Sequence, residues 1–559
     1  MPQRPALSCR LCIFAALFTL NACGGGADTT VNGDSTGSST SGSPAPSAGS
    51  GSGSSSSGPG TDVVTFKNDA GRTGQNLTES RLTLTNVNST NFGLLRNLTV
   101  DGKVDAQPLY LSALSINGTS HNTVFVATEA GSVYAFDADN GTTLWHVSLL
   151  GAGESLSDNH GCVQITPQIG ITSTPVIDRS AGTNGALFAV GMSKDSSSAY
   201  HQRLHALDVT TGAELFNGPV EITATYPASG GATASFDPGQ YAERAALLLS
   251  NGAIYTSWTS HCDIPPYSGW IIGYDESTLT QKSVLNIGPN GNAGPSIWMS
   301  GGGPGADSDG NIYLLSANGA FETTLDANGF PNKQDYGNSF LKLAVSGTAL
   351  TVADYFTMWN EIAESSSDED LGSGGEMLLP DQTDSSGTVR HLLVGAGKDG
   401  NLYVVNRDAM GKFNANGNNI WQQLNGAVAG GVFSTPAYFN GTVYYGDING
   451  TLKAFAITNA MLGNAGASQS ITSFNYPGTS PVVSANGTAN AIVWAHQNSG
   501  VAVLHAYDAT NLAHELYNSN QAGGRDQPGA GNKFITPTVA DGKVFVGTQN
   551  SVAVFGLLQ

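Results

Sequence analysis

Charged residues are scarce in this 559-residue chain, and basic residues are the scarcest of them. Lysine and arginine number 22 against 43 aspartates and glutamates, so the net charge is −21, and charged residues make up only 12% of the sequence. Nucleic-acid binding needs clustered basic residues, so this composition argues against a nucleic-acid partner. Helical bundles and coiled coils are rich in charged residues, so the low charge argues against these folds too. The 72 glycines fit an all-β protein with many tight turns.

The chain also lacks the hydrophobic run that a membrane-spanning helix requires near its N-terminus. The apolar stretch 11–18 is too short to cross a bilayer and is typical of a signal peptide. It is followed by Leu20-Asn21-Ala22-Cys23-Gly24, which resembles a bacterial lipobox. We therefore predict a lipoprotein signal peptide over residues 1–22 and lipidation of Cys23. An ordinary signal peptide or a short membrane anchor is the alternative.

The residue after Cys23 and the segment that follows it indicate where the protein is held. Gly24 replaces the aspartate that retains many bacterial lipoproteins in the inner membrane, so we expect an outer-membrane anchor facing the periplasm. Residues 24–60 are nearly all Gly, Ser, Thr, Ala, Pro and Asp, with Val31 as the one sizeable apolar side chain. Such a segment cannot bury enough apolar surface to fold, so residues 23–61 are predicted to be a flexible tether.

The remainder, residues 62–559, is a repeat of short strands. A clear copy has strands over 124–128 and 133–137, then a glycine turn and a strand beginning at Thr143. Four short strands every ~50–70 residues are typical of a propeller blade. The third strands of successive copies are predicted to end at Asp137, Asp208, Asp275, Ala344, Asn406, Ala456, Asp508 and Gly556.

The eighth copy stops after its third strand, at Val552-Ala553-Val554-Phe555. Residues 92–100 resemble a fourth strand in sequence and lie ahead of the first complete copy. Pairing this N-terminal strand with the last copy leaves no open edge between the two ends of the ring. The sequence therefore predicts an all-β, eight-bladed propeller of four-stranded antiparallel blades, with seven blades as the alternative. A closed ring needs no partner to fold, so we expect a monomer.

Several blocks of the repeat resemble a known family. The segments 135–145 and 206–212 are similar to the repeat of pyrroloquinoline quinone (PQQ) propellers, and 66–74 resembles the entry segment of quinoprotein alcohol dehydrogenases. Proteins with this repeat include PQQ-dependent dehydrogenases and non-enzymatic lipoproteins of the outer-membrane assembly machinery. The resemblance thus implies the propeller fold and leaves the function open between these two classes.

Propeller topology brings the ends of all second strands and the starts of all first strands to one face, which we call the upper face. The long segment 319–336 rises from it, and functional sites are commonly built on such loops. Cys162 and Cys262 both fall on this face in adjacent blades, so a disulfide is predicted, with two separate buried thiols as the alternative. Polar residues predicted there include Glu129, Asp158, His160, Lys194, Arg244, His261, Asn318, Asp370, Lys398, Asp447, His496, Arg525 and Gln549.

The family resemblance implies roles for four of the upper-face residues. Asn318, which follows a second strand, would bind Ca²⁺. Asp370, which precedes a first strand, would bind the same ion and serve as the catalytic base. Lys398 would place a cation near the quinone oxygens, and Trp298 would stack beneath PQQ. Each of these residues also suits an ordinary turn or loop, so a purely structural role is the alternative.

The sequence departs from the family pattern in two places. The calcium-binding glutamate is replaced by Ser196-Ser197-Ser198-Ala199-Tyr200 with Asp195 nearby, and the adjacent cysteine pair that caps PQQ is missing. The absence of a Cys-x-x-Cys-His motif predicts no attached haem. Two functions therefore remain: a PQQ- and Ca²⁺-dependent dehydrogenase of an alcohol or sugar with a separate electron acceptor, and a non-catalytic envelope scaffold or binding module.

Overall fold

Alternating short strands and tight turns build eight antiparallel sheets that stand in a ring, as seen in a computed structural model of the chain. The structure describes residues 62–290, 294–464 and 466–559. The predicted signal peptide, the lipidation site at Cys23 and the tether lie outside the described residues. None of the helices in the described ranges has the length and hydropathy needed to cross a membrane.

Each of the first four blades contributes four strands in chain order, from the ring axis outwards. Their bounds are Leu109–Ile116, Thr119–Ala127, Ser132–Asp137 and Thr143–Ser148 in blade one; Val176–Asp178, Ala186–Lys194, Tyr200–Asp208 and Val220–Glu221 in blade two; Leu248–Ser250, Ala253–Ser260, Trp270–Asp275 and Gln281–Asn286 in blade three; and Gly305–Ala306, Ile312–Leu315, Ser339–Ser346 and Ala349–Thr357 in blade four.

The next three blades follow the same order, and the eighth takes its outermost strand from the N-terminal part of the chain. The bounds are Met377–Leu378, Leu392–Ala396, Leu402–Asn406 and Gln422–Leu424 in blade five; Ala437–Phe439, Thr442–Tyr445, Gly450–Thr458 and Ser468–Phe474 in blade six; Val482–Asn486, Ala489–Gln497, Val503–Asp508 and Asn511–Asn518 in blade seven; and Thr538–Ala540, Lys543–Gly547, Ser551–Leu557 and Phe92–Thr99 in blade eight.

Short elements decorate the blades. The helices are one α-helix, Glu361–Ser366, and the 3-10 turns Ser229–Gly231, Met299–Gly301, Leu371–Ser373 and Gly523–Asp526. The additional strands are Gln75–Asn76, Ser155–Asp158, Gln168–Ile169, Thr225–Pro227, Thr233–Ser235, Tyr241–Ala242, Gln382–Thr383, Val389–Arg390 and Met461–Leu462.

The hydrophobic core lies between neighbouring blades. Inner strands are buried on both faces, which explains continuous apolar runs such as Ile312–Leu315, where all four residues are buried. Large rings fill the space between blades, as Trp258 and Trp270 do between blades two and three. Because sheet-on-sheet packing supplies this core, the fold needs many β-branched and aromatic residues and few charged ones.

The ring closes as the sequence predicts. Phe92–Thr99 pairs antiparallel with Ser551–Leu557, from Phe92 opposite Leu557 to Thr99 opposite Ser551. The eight-bladed prediction is confirmed, and the seven-bladed alternative is wrong because the N-terminal strand completes an eighth sheet.

Residues 63–76, which we call the axial segment, run through the ring and contact every blade. Their backbone and side chains form hydrogen bonds with the first strands of the blades or with the residues just before those strands. The contacts are Val63 with Tyr110, Val64 O with Ile177 N, Arg72 Nη2 with Leu247 O, Ala70 O with Ala306 N, Gly71 O with Leu378 N, Thr73 O with Tyr438 N, Gly74 O with Val483 N, and Asn76 Nδ2 with Val539 O.

Two buried cations fasten the axial segment. Lys67 Nζ donates to the carbonyls of Thr435 and Pro436 at 3.0 and 3.1 Å, and also to the carbonyl of Pro481. Arg72 donates five hydrogen bonds, to Pro304 O through Nε and Nη2 and to Leu247 O, Thr65 Oγ1 and Phe66 O. Both cations are therefore satisfied by neutral oxygens of several blades.

Candidate functional site

A cavity of about 250 Å³ opens on the upper face, lined by residues that precede first strands or follow second strands. All four residues to which the resemblance assigns a role line it: Trp298, Asn318, Asp370 and Lys398. They come from blades four and five, where the chain turns from one strand to the next. The structure therefore brings together residues that are spread over about 100 positions of the sequence.

Asn318, Asp368, Asp370 and Lys398 form one bonded group in this cavity. Asp370 Oδ1 accepts the backbone N–H of Asn318 at 3.0 Å, and the Asn318 side-chain amide donates to Asp368 Oδ1 at 2.9 Å. Lys398 Nζ donates to Asp368 Oδ1 at 2.8 Å and lies 3.7 Å from Asp370 Oδ2. Asp368 is a cavity residue that the resemblance did not single out.

Asp370 has the properties of a proton acceptor near neutral pH. Its side chain is only 8% exposed, just before the turn Leu371–Ser373. Burial raises the pKa of Asp370 to about 6, against the opposing effects of the Lys398 ammonium and the Asn318 N–H. A carboxylate with such a pKa is mostly ionised at pH 7 and can still take up a proton.

Trp298 reaches the cavity through an unusual turn. Met299 and Ser300 both have positive φ, 47° and 46°, in the 3-10 turn that follows it. The Ser300 hydroxyl donates to the carbonyl of Ser373 at 2.6 Å, which ties this turn to blade five. Left-handed backbone at two successive non-glycine residues is costly, and such strain is concentrated at functional sites.

Three further rings line the cavity that sequence reasoning did not identify. Phe433, Tyr476 and Phe534 precede the first strands of blades six, seven and eight. Their centroids lie 5.5 Å apart for Phe433–Tyr476, 6.1 Å for Tyr476–Phe534 and 6.4 Å for Phe433–Phe534. The sequence offers one indication of these rings: each lies just before a first strand, and every such position falls on the upper face.

Two basic residues stand against these rings. Arg244, which is 4% exposed, holds its guanidinium 4.7 Å from the centroid of Phe534, and Lys533 Nζ lies 5.3 Å from the same centroid. Burial lowers the pKa of Lys533 to about 8 and also lowers that of Arg244. The sequence placed Arg244 on the upper face but gave it no role.

The predicted disulfide is confirmed and lies at the rim of the cavity. Cys162 and Cys262 are joined, with their Cα atoms 5.8 Å apart. Gln164 and Asp263, each within two residues of one cysteine, line the cavity, and Gln164 Oε1 accepts the N–H of Cys262 at 3.3 Å. The bond therefore holds together two loops that contribute to the cavity wall.

For a metal ion the cavity offers oxygen atoms of Asn318, Asp263, Asp368 and Asp370. Such oxygens suit a hard cation like Ca²⁺. Within the described ranges, however, no group of three or more His, Cys, Asp and Glu side chains is arranged to hold a metal ion. Lys398 already neutralises part of the acidic charge, and the family glutamate is replaced in the sequence.

A larger cavity of about 450 Å³ lies elsewhere, between blades four and five beside the axial segment. Its charged side chains are engaged with one another: Arg407 lies 3.8 Å from Asp307, and Tyr313 donates to Asp307 at 2.8 Å. None of the four residues with implied roles lines it. The smaller cavity is therefore the better functional candidate despite its size.

The chain was compared with known proteins. No protein-family model matches it, and no curated protein sequence matches it. Among solved structures, it is similar to the quinohemoprotein alcohol dehydrogenase from Comamonas testosteroni, with a TM-score of 0.60 and 14% identity over 89% of this chain and 80% of that one.

Two further structures give the same result. The quinohemoprotein alcohol dehydrogenase ADHIIG from Pseudomonas putida HK5 has a TM-score of 0.56 and 14% identity over 89% of this chain and 80% of that one. A europium-containing methanol dehydrogenase has a TM-score of 0.54 and 13% identity over 88% of this chain and 90% of that one. At this level of identity the comparison establishes the fold alone, an eight-bladed β-propeller like those of these dehydrogenases.

Proposed function

We propose that this protein is a PQQ-dependent dehydrogenase of an alcohol or sugar. The observation that carries the proposal is that Trp298, Asn318, Asp370 and Lys398 line one cavity. The fold, shared with quinohemoprotein alcohol dehydrogenases, supports it. A buried carboxylate with a raised pKa beside a lysine in a cavity is typical of functional sites, which also supports the proposal.

The residues of the cavity suit a planar anionic quinone. Trp298, Phe433, Tyr476 and Phe534 offer apolar ring faces, and Lys398 offers a cation for a quinone oxygen. When bound, PQQ would supply the two-electron acceptor that the protein side chains lack. Asn318 and Asp370 are the residues that would hold Ca²⁺, but the glutamate that completes the donor set in the family is replaced in this sequence.

Each residue has a distinct task in this proposal. Asp370 removes the proton of the substrate hydroxyl at its carboxylate oxygen. The Asn318 N–H fixes the orientation of that carboxylate through the 3.0 Å hydrogen bond. Lys398 lies 3.7 Å from Asp370 and 5.9 Å from the Phe433 ring, so it keeps the carboxylate ionised while facing the aromatic part of the cavity.

The proposed location is the cell envelope, with a lipid anchor on Cys23 facing the periplasm. The lipobox-like sequence supports this proposal, and so does the Cys162–Cys262 bond, since disulfides persist in oxidising compartments. The electrons would pass to a separate acceptor, because the sequence has no Cys-x-x-Cys-His motif.

The test is a titration of residues 61–559 with PQQ, with and without Ca²⁺, followed by melting temperature and then by dye-linked oxidation of an alcohol and sugar panel. A ligand that binds the folded state raises the melting temperature with its concentration. We expect this rise in the wild type and a smaller one in Lys398→Ala. If excess PQQ leaves the melting temperature unchanged, the dehydrogenase proposal fails and the scaffold function becomes the better one.

Asp370→Asn separates catalysis from binding. We expect PQQ to bind while turnover falls by about 10²–10⁴-fold, the usual contribution of a positioned base. In the wild type, turnover should rise with pH through about 6, because the carboxylate must be ionised to act as a base. The exposed Asp381→Asn is the matched control and should leave turnover unchanged. Equal turnover in Asp370→Asn would rule out this base.

A further inference from the structure

We infer that Arg244 and Lys533 form a carboxylate-binding subsite in the cavity, so that the cavity selects planar aromatic ligands that carry carboxylates over neutral ones. Arg244 comes from blade three and Lys533 from blade eight, whereas Asp370 and Lys398 belong to blade five. The subsite is therefore built from a different part of the ring than the proposed base.

Arg244 is buried without a polar partner among the described residues. Its side chain is buried, its Nε has no hydrogen-bond partner, and within the described residues it makes no ion pair. Removing a guanidinium from water without a compensating partner is costly. A carboxylate ligand would supply that partner, and an arginine fork matches a carboxylate with two parallel hydrogen bonds.

The neighbouring carboxylates of the protein do not satisfy Arg244. Asp105 accepts a hydrogen bond from Asn532 Nδ2 at 2.6 Å. Glu129 accepts from the N–H of Gly170 and the hydroxyl of Thr172, both at 2.8 Å. Neither carboxylate comes within 4 Å of the Arg244 guanidinium to form an ion pair. Burial lowers the pKa of Arg244, and the nearby acidic groups oppose this effect without forming a contact.

The other arginines of the described ranges show that this state is exceptional. Each of them has either an ion pair with a carboxylate or a hydrogen bond to an acceptor oxygen, whereas Arg244 has neither. The partnered arginines are Arg72, Arg81, Arg96, Arg179, Arg203, Arg390, Arg407 and Arg525. A fold that pairs eight arginines and leaves a buried one facing a cavity points to a ligand for that one.

Lys533 and Phe534 define the shape of the ligand. Lys533 likewise makes no ion pair within the described residues, and both cations stand against the Phe534 ring. Phe534 lies 6.4 Å from Phe433, whose ring is 5.9 Å from Lys398 Nζ. A flat ring system lying along these two rings would have cations at both ends, which suits an aromatic polycarboxylate.

Applied to PQQ, this inference rests on the proposed function and adds the orientation of the cofactor in the cavity. A PQQ-type quinone would then lie with carboxylates toward Arg244 and Lys533 and its reactive oxygens toward Lys398 and Asp370. Neutral quinones would bind less tightly, because a carbonyl oxygen gives Arg244 a weaker hydrogen bond than a carboxylate does. The subsite itself does not depend on redox chemistry, so it can be tested without turnover.

The test uses calorimetry of residues 61–559 with benzene-1,3,5-tricarboxylate and with its neutral triamide. We expect the tricarboxylate to bind and the triamide not to bind. Arg244→Met should weaken tricarboxylate binding by about 10- to 100-fold, the value of one or two charged hydrogen bonds, and Lys533→Met by less. Arg81→Met, which removes a mostly exposed arginine, is the matched control and should bind like the wild type.

A second measurement distinguishes a binding role from a structural one. Because Arg244 has no hydrogen-bond or ion-pair partner among the described residues and Met can keep the apolar contact with Phe534, Arg244→Met should leave the melting temperature of the ligand-free protein unchanged or higher. A lower melting temperature, or tricarboxylate and triamide binding equally well, would overturn the inference. PQQ binding that is equal in the wild type and Arg244→Met would overturn it while leaving the proposed function intact. Tricarboxylate binding without PQQ binding would support the subsite and contradict the proposed function.

Discussion

Two buried arginines facing the same ring axis differ completely in their surroundings. Arg72, in the axial segment, donates five hydrogen bonds to oxygens of its own segment and of the residues before blades three and four. The Arg244 guanidinium, in the upper-face cavity, makes no hydrogen bond to the residues that the structure describes, and its Nε is buried without a partner. Burial lowers the pKa of both, although Asp69 and Glu376 oppose the effect at Arg72. The fold can therefore satisfy a buried guanidinium where it needs one for stability.

The comparison of Arg72 with Arg244 distinguishes two regions near the ring axis. The axial segment holds the ring together, whereas the upper-face cavity is available to a ligand. Unsatisfied polar groups lower stability, and proteins retain them where function requires them. In the axial segment, Lys67 and Arg72 are surrounded by acceptor oxygens of the segment itself and of several blades. In the upper-face cavity, Arg244 and Lys533 have no ion-pair partner among the residues that the structure describes and stand against the Phe534 ring. Variants of the two regions should accordingly behave in opposite ways.

The largest expected effect is in the axial segment. Arg72→Met should lower the free energy of unfolding by about 3–5 kcal/mol, because several buried carbonyls lose a charged donor at once. Urea unfolding of Arg72→Met and Arg244→Met, measured in parallel, makes the comparison direct. A similar loss of stability in both variants would remove the distinction between the two regions.

The next effect concerns the rim of the cavity. Cys162→Ser with Cys262→Ser should lower the free energy of unfolding by about 2–4 kcal/mol, because the bond closes a loop of 100 residues. It should also weaken tricarboxylate binding, since Gln164 and Asp263 lose their common support. Denaturant unfolding and calorimetry of the double variant measure the two effects separately. Unchanged ligand affinity would show that the rim does not shape the cavity.

Measured per pH unit and per residue, the smallest effect is a pH dependence of the free energy of unfolding, set by two buried glutamates, one near each arginine. Glu376, electrostatically coupled to Arg72, and Glu243, next to Arg244 in sequence, both have a pKa raised by burial to about 8. The folded state binds protons that the unfolded state releases, so stability should fall as pH rises from about 4.5 to 8, by at most ~1.4 kcal/mol per unit for each group.

Glu376→Gln and Glu243→Gln should each flatten this slope, because the amide cannot ionise. Denaturant unfolding at several pH values between 5 and 8 is the measurement, and the exposed Glu221→Gln is the control. A slope that persists in the double variant would assign the pH dependence to other groups.

The sequence was sufficient to predict the fold because each blade repeats the same local pattern of strands and turns. The closing strand could be predicted because residues 92–100 match a fourth strand and the last copy lacks one. The group around Asp370 could be assembled from a family resemblance and from topology. Phe433, Tyr476 and Phe534 could not, because their meeting depends on the curvature of the ring and not on any local spacing.

The contacts of the axial segment could not be predicted from the sequence either. Its contacts join residues 63–76 to positions as distant as Val539, and nothing in the local pattern of Lys67 or Arg72 indicates that blade carbonyls will surround them. From the sequence alone, Lys67 and Arg72 would be expected to be ordinary solvated residues of an entry segment. Only the assembled ring shows which charges are paired.

The closing strand has a consequence for the order in which the chain becomes functional during its synthesis. Phe92–Thr99 is synthesised long before its partner Ser551–Leu557, so this strand stays unpaired until blade eight has been made. The cavity draws Arg244 from blade three and Lys533 and Phe534 from the start of blade eight, so its wall is incomplete in a chain that has been made only through blade seven. Ligand binding would therefore report on molecules whose chain extends into blade eight.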